Sequence, residues 1–180
     1  MEKVNDYIVN SDTLALVPFF NEFGECWTKA IEKYRNIQVE QAPKTIIKES
    51  CLYYGVSLRG RIESAKRVLP GHRMLPVCVS EVANLCFIPT RSMENADCQW
   101  IAHSAVKTIV SAGKRSKIIL INKEEVIVEK QACLLFNKIK NASHLLFTYL
   151  QRLHELKEQE TVMIFGKPYY YQQTDHELTD

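Results

Sequence analysis

Residues 106–128 read VKTIVSAGKRSKIILINKEEVIV. Three runs rich in branched apolar residues, VKTIVS, KIILIN and EVIV, are separated by Ala112–Arg115 and by Asn122 and Lys123, short polar connections of the kind that join antiparallel strands. The pattern predicts a meander with KIIL, its most apolar run, as the central strand. From Gln131 the period changes. Leu134, Leu135, Ile139, Leu145, Leu146, Tyr149, Leu150, Leu153 and Leu156 recur at helical spacing, which predicts one apolar stripe on a helix over 131–158 with a break at Asn141–Ser143. The stripe fits equally a face packed inside the domain and a seam between two copies.

Upstream, YIVN (7–10) and TLALVPF (13–19) read as short strands. Residues 26–39 stay ambiguous, because Trp27, Ala30, Ile31 and Tyr34 fit a helix whereas IQVE looks extended. Pro43 suits a first helical turn, Ile46, Ile47, Cys51 and Tyr54 share a face, and Gly55 marks the stop, predicting a helix of about twelve residues. A second short helix follows over 55–67, with Leu58, Ile62 and Ala65 inward and Arg59, Arg61, Lys66 and Arg67 outward. LPGHRMLPV (69–77) reads as a loop, VCV and NLCFIPT as strands, RSMENAD as a polar loop. The fold class is therefore α+β: one domain over 1–157, with an antiparallel sheet, short helices in the middle and a long C-terminal helix. A flexible acidic tail is expected over 158–180. Its apolar island TVMIFGKP either docks as an edge strand or serves as a linear motif for a partner.

At 180 residues the chain supports one well-buried core. No apolar run approaches the ~20 residues that cross a bilayer, and the N-terminal segment lacks a basic end followed by an apolar stretch, so a soluble, cytoplasmic protein without membrane contact is expected. The net charge of +2 conceals a strong polarity along the chain. Residues 1–28 and 153–180 each sum to −4, residues 29–73 to +6 and residues 105–123 to +5 with no acid at all. Two basic blocks on one face attract a polyanion whatever the total; spread apart, they are an ordinary solvated surface.

Catalytic patterns are missing. The six glycines stand singly, so no phosphate-cradling loop forms, and neither a GxSxG elbow nor an HExxH pair occurs. No CxxC occurs among the six cysteines, and Cys78, Cys86, Cys98 and His103 lack the close pairing of a zinc site. A cysteine nucleophile such as Cys51 or Cys98 with His72 or His103 is the remaining enzymatic option, without local support. No enzyme activity and no cofactor are expected.

Four ordered segments carry a more specific signal: SCLYYGVSLRGR (50–61), HRMLPV (72–77), FIPT (87–90) and CQWIAH (98–103). Together they resemble the ComK family, the competence transcription factors of Gram-positive bacteria. The resemblance implies a transcriptional activator of DNA-uptake genes that binds AT-rich boxes of double-stranded DNA, mainly through the minor groove, as dimers or paired dimers, and is nucleoid-associated when bound. It also implies delivery to a Clp protease by an adaptor of the MecA type. Residues 161–167 resemble the segment presented to that adaptor, with Val162, Met163, Ile164 and Phe165 as the candidate contacts; Phe165 and Gly166 stand where a Tyr-Pro pair is expected.

Narrow AT-rich minor grooves carry enhanced negative potential that inserted arginines read as width. On charge and position the candidates for DNA contact are Arg59, Arg61, Arg67 and Arg73, supported by Lys44, Lys48, Lys66, Lys114, Arg115 and Lys117. The DNA face is thus expected from residues 44–73 and 107–117. The alternative is a protein-interaction module of the same fold that has lost specific promoter binding.

Overall fold

The computed structural model describes residues 2–158, 161–164 and 167–170, with Glu158 and the last two stretches as backbone only. Its frame is a seven-stranded sheet. β1 (Glu2–Val4), β2 (Thr13–Phe20), β3 (Cys26–Glu32) and β4 (Asn36–Val39) form one half, and β5 (Val77–Ser80), β6 (Leu85–Pro89) and β7 (Trp100–Ala102) the other. The order is β1-β4-β3-β2-β7-β6-β5, antiparallel except that β1 runs parallel to β4. The predicted meander is present as a separate three-stranded antiparallel sheet of β8 (Val106–Ala112), β9 (Arg115–Leu120) and β10 (Glu125–Val128), with β9 central.

The helices are α1 (Pro43–Tyr53), α2 (Leu58–Val68) and α3 (Ala132–Glu158). Pro43 opens α1, where its missing N–H costs nothing. Gly55 closes it at φ +91°: its N–H donates to the Leu52 carbonyl and that of Val56 to the Cys51 carbonyl, both at 3.0 Å, the paired bonds of a left-handed helix stop. Ser57 then caps α2, its Oγ accepting the Gly60 N–H at 3.1 Å. A Cβ on Gly60 would stand 3.2 Å from Val56 Cγ1 and 3.4 Å from that Oγ, so the bare glycine keeps turn and cap together.

One cluster of the core fills the space between the large sheet, α1 and the small sheet; a second joins α2, β5 and β6 to the middle of α3. The small sheet is anchored by polar side chains. Glu124 accepts from Lys29 Nζ at 3.1 Å and Asn36 Nδ2 at 3.0 Å, and Asn122 Nδ2 donates to the Glu32 carbonyl at 3.0 Å.

Four expectations change, and the reading left open over 26–39 is resolved. YIVN is a loop: Val9 is buried, its N–H donates to Ser50 Oγ at 3.0 Å and its carbonyl accepts from Tyr54 Oη at 3.2 Å, so helix α1 side chains take the place of a strand ladder. The ambiguous 26–39 stretch is two strands, β3 and β4. Helix α3 runs unbroken through Asn141–Ser143, and its leucines do not form one face: Leu135, Leu145, Leu146 and Tyr149 are buried whereas Leu134, Leu150 and Leu156 face outward, Leu156 being 67% exposed. Arg61 turns inward.

In the region assigned to the tail, Thr161–Ile164 pairs antiparallel with Lys167–Tyr170 as a sheet of its own, not as an edge strand of the large one. Phe165 of the candidate adaptor segment lies outside the described residues, as do 159–160, 166 and 171–180.

Candidate nucleic-acid interface

The first basic block lies on α1, α2 and the loop that leaves α2. Lys44 is bonded to Glu94 at 2.7 Å and Lys48 to its neighbour Glu49 at 3.2 Å. Arg59, 89% exposed, donates through Nε to Glu63 one turn on at 2.9 Å, and that hydrogen bond holds the Glu63 carboxyl below its ordinary range. Arg61 is only 11% exposed and donates to Glu81 at 2.8 Å. It ties α2 to the turn after β5. Replacing Arg61 by Ala is expected to lower stability by about 1 kcal/mol, measured by urea unfolding, because Glu81 keeps partial access to water.

Lys66, Arg67 and Arg73 are different. All three are exposed and, among the described residues, none forms an ion pair. Lys66 and Arg67 also occupy the last turn of α2, where a cation offsets the carbonyl end of the helix dipole. The loop that leaves α2 carries Arg73. That loop is held from α3: Lys138 Nζ donates to the Met74 carbonyl at 3.0 Å, and Asn141 Nδ2 lies 3.1 Å from His72 Nδ1. Lys138 is only 8% exposed, and burial pushes its ammonium pKa down to about 8, with nearby Lys130 adding to the fall. Sequence reasoning missed this lysine, although its place between Leu135 and Ala142 at helical spacing put it on the buried stripe.

In the second block, Arg115 pairs with Glu129 at 2.7 Å and Lys117 with Glu125 at 2.8 Å across the small sheet. Lys114, at the hairpin tip beside Gly113, is exposed and forms no ion pair among the described residues. α2 and β8 both pack against α3. Helix α3 thus packs against α2 of the first block and against β8, which opens the second.

The four sequence segments meet mainly in the core, although Arg59 of the first and Arg73 of the second stand on this surface. Phe87↔Ala102, Ile88↔Ile101 and Pro89↔Trp100 are register partners of β6 and β7, and HRMLPV feeds β5 beside them. Trp100 is fully buried, a core residue. The residues matched by the ComK protein family model run from 4 to 154. The chain belongs to the ComK family. It is similar to the competence transcription factor of Bacillus subtilis (strain 168), with 31% identity over 104 residues, 58% of this chain and 54% of that protein. The chain thus matches about half the length of that curated relative. No solved structure matches.

The cysteines and histidines of this ComK-family chain have structural surroundings. All six thiols are free; burial pushes Cys51 up to about 11 and Cys98 upward, the reverse of an activated nucleophile. Among the described residues no group of His, Cys, Asp or Glu is arranged to hold a metal ion, and no helix is long and apolar enough to cross a membrane. His103 Nε2 lies 2.8 Å from Ser143 Oγ, whose hydroxyl donates to the Ile139 carbonyl. The imidazole therefore donates through Nε2, leaving buried Nδ1 without a partner. Burial lowers the His103 pKa from its ordinary value. Below about pH 6.5 the unfolded imidazole takes a proton that the fold refuses, so stability falls with pH until the lowered folded value is reached. Thermal melts between pH 7.5 and 5 should show this slope, and His103→Gln should flatten it.

Proposed function

We propose that this chain is a DNA-binding activator of competence genes. It recognises AT-rich duplex boxes through the minor groove as a dimer or pair of dimers, acting in the cytoplasm at the nucleoid. The observation that carries the reading is three exposed cations on and just after α2, Lys66, Arg67 and Arg73, that form no ion pair among the described residues, in a chain of the ComK family. Arg73 projects from a loop rather than a helix, which suits insertion into a narrow groove, while Lys66, Arg67 and Lys114 serve phosphates. Arg59, Lys44, Lys48, Arg115 and Lys117 already hold carboxylates and contribute by exchanging partners on the duplex; Arg61 stays with Glu81. The role calls for no catalytic group and no cofactor.

Titration against duplexes carrying phased A- and T-tracts, at two salt concentrations, tests this. Retention at low salt with strong preference over a GC-rich duplex of equal length is expected; equal affinity defeats minor-groove recognition, and no binding at low salt defeats DNA binding and favours the interaction module. Val162, Met163, Ile164 and Phe165 are proposed as the segment seen by a MecA-type adaptor for Clp degradation. Replacing Val162 and Ile164 by Ser is expected to lengthen the protein's life in a reconstituted adaptor and protease mixture.

A further inference from the structure

An open groove of about 560 Å³ runs between α1 and α2, the size range of sites that bind organic groups. Its floor is apolar, with Leu52 from α1 and Ile62 from α2; Leu52 is 49% exposed. Its rim carries Lys48, Arg59 and Lys66; Glu49 pairs with Lys48 and Glu63 with Arg59, which leaves Lys66 without an ion pair among the described residues. Where α1 ends, Tyr53 and Val56 add exposed apolar surface beside the groove.

A DNA backbone offers phosphates to this rim but nothing to cover the leucine and isoleucine beneath it. An amphipathic helix offers both. The geometry points to a docking site for an acidic amphipathic helix of a partner protein, its apolar side chains seated on Leu52 and Ile62 and its carboxylates facing Lys48, Arg59 and Lys66. Charge complementarity selects this occupant: with Glu49 and Glu63 counted, the three cations leave the rim net positive, which repels a basic helix and attracts an acidic one. Because Arg59 and Lys66 are also proposed to face DNA, helix and duplex compete. The competition rests on the DNA-binding reading; the docking does not.

The test uses the full chain and a fluorescent helical peptide of about 18 residues, with Leu at i, i+3, i+4 and i+7, about four Glu on the flanking positions and Ala elsewhere to keep it helical. Two control peptides carry Lys in place of Glu, or Ser in place of Leu. The acidic peptide is expected to raise anisotropy on binding, at least tenfold more tightly than either control. Leu52→Ser is expected to weaken it about tenfold while leaving duplex affinity unchanged, since Leu52 is a solvent-facing contact; Lys66→Ala is expected to weaken both. Circular dichroism melts confirm that the variants fold. Equal affinity for the acidic and basic peptides, or no effect of Leu52→Ser, overturns the proposal. So does a self-association in sedimentation that Leu52→Ser dissolves, which makes a second copy the occupant. An AT-rich duplex that fails to bind while the acidic peptide still does overturns the DNA reading and leaves the docking site standing.

Discussion

Replacing Lys66, Arg67 and Arg73 together by Ala is expected to lower affinity for an AT-rich duplex on the order of 10²- to 10³-fold near 0.1 M salt, and to reduce the slope of log K against log salt by about 2 to 3. The slope is the sharper readout. Each phosphate neutralised releases close to one counterion, so three lost contacts must appear as a loss of roughly that many, whatever the sequence of the duplex. The same three residues are exposed and make no ion pair among the described residues, so the urea midpoint should fall only by the small helix-end contribution of Lys66 and Arg67, about 0.3 to 1 kcal/mol each. Arg61→Ala lowers stability and keeps the salt slope, because its guanidinium is engaged with Glu81. Within the triple variant the contributions should separate. Arg73→Ala alone is expected to lessen the preference for A-tracts over GC-rich duplex, whereas Lys66→Ala alone weakens both equally. A triple variant that binds with unchanged affinity and slope removes these three cations from the interface and shifts attention to Lys114 and the small sheet.

The fold was legible wherever one residue type decides a local geometry. Pro43 and Gly55 mark the two ends of α1, and the small sheet was readable from two short turns between apolar runs; the second helix was read from 55, ahead of the Ser57 cap where it begins. Two kinds of place were not. At Val9 an apolar residue in a strand-like run is buried by side chains 41 and 45 positions away, Ser50 and Tyr54, which satisfy its backbone; only the tertiary arrangement supplies those partners. On α3 the leucine count exceeds what one face can hold, so a list of leucines overstates the stripe, while the lysine inside it is hidden by its charge. For the interface, sequence located the basic blocks but not their pairing. Charges along a chain say nothing about which cation faces Glu81, Glu94, Glu125 or Glu129. The four family segments are legible for a further reason: they build adjoining strands and the helix pair beside them, so packing constrains them jointly, and the cations they flank are left to the surface.

Lys138→Met is expected to raise stability by about 1 to 2 kcal/mol at pH 7 and at the same time to weaken duplex binding. Both signs come from one buried ammonium. In the unfolded chain a lysine keeps its proton to about pH 10.4; in the fold Lys138 loses it near pH 8, because burial disfavours the charge. Between those values the unfolded chain binds more protons, so the Lys138 contribution makes stability climb with pH, while below pH 8 the fold carries the charged form at a constant cost of about 3 kcal/mol. Methionine removes that cost but leaves the Met74 carbonyl without its donor, a loss of about 1 to 2 kcal/mol. Urea unfolding of both proteins from pH 6 to 10 separates this from the thiols: Cys51, Cys86 and Cys98 stay protonated in the fold at higher pH than when unfolded, which lowers stability as pH rises above about 9. Cys51 and Cys86 are unchanged in both proteins and cancel in the difference, whereas Cys98 is held down by Lys138 and does not. The comparison is therefore read below about pH 9, where that thiol is protonated in the fold of both proteins. The advantage of Lys138→Met should be flat below pH 8 and shrink above it; an advantage independent of pH, or a less stable variant throughout, refutes the assignment. The binding arm has its own origin. Met74 sits at φ +53°, a left-handed conformation unfavourable for a residue with a side chain. The Lys138 bond helps to hold it there, next to Arg73. Releasing that bond lets the loop relax and Arg73 leave its position, so the variant gains stability as it loses affinity. A lysine whose burial costs stability, yet fixes the loop that bears the arginine proposed to face DNA, is what a trade of stability for binding predicts.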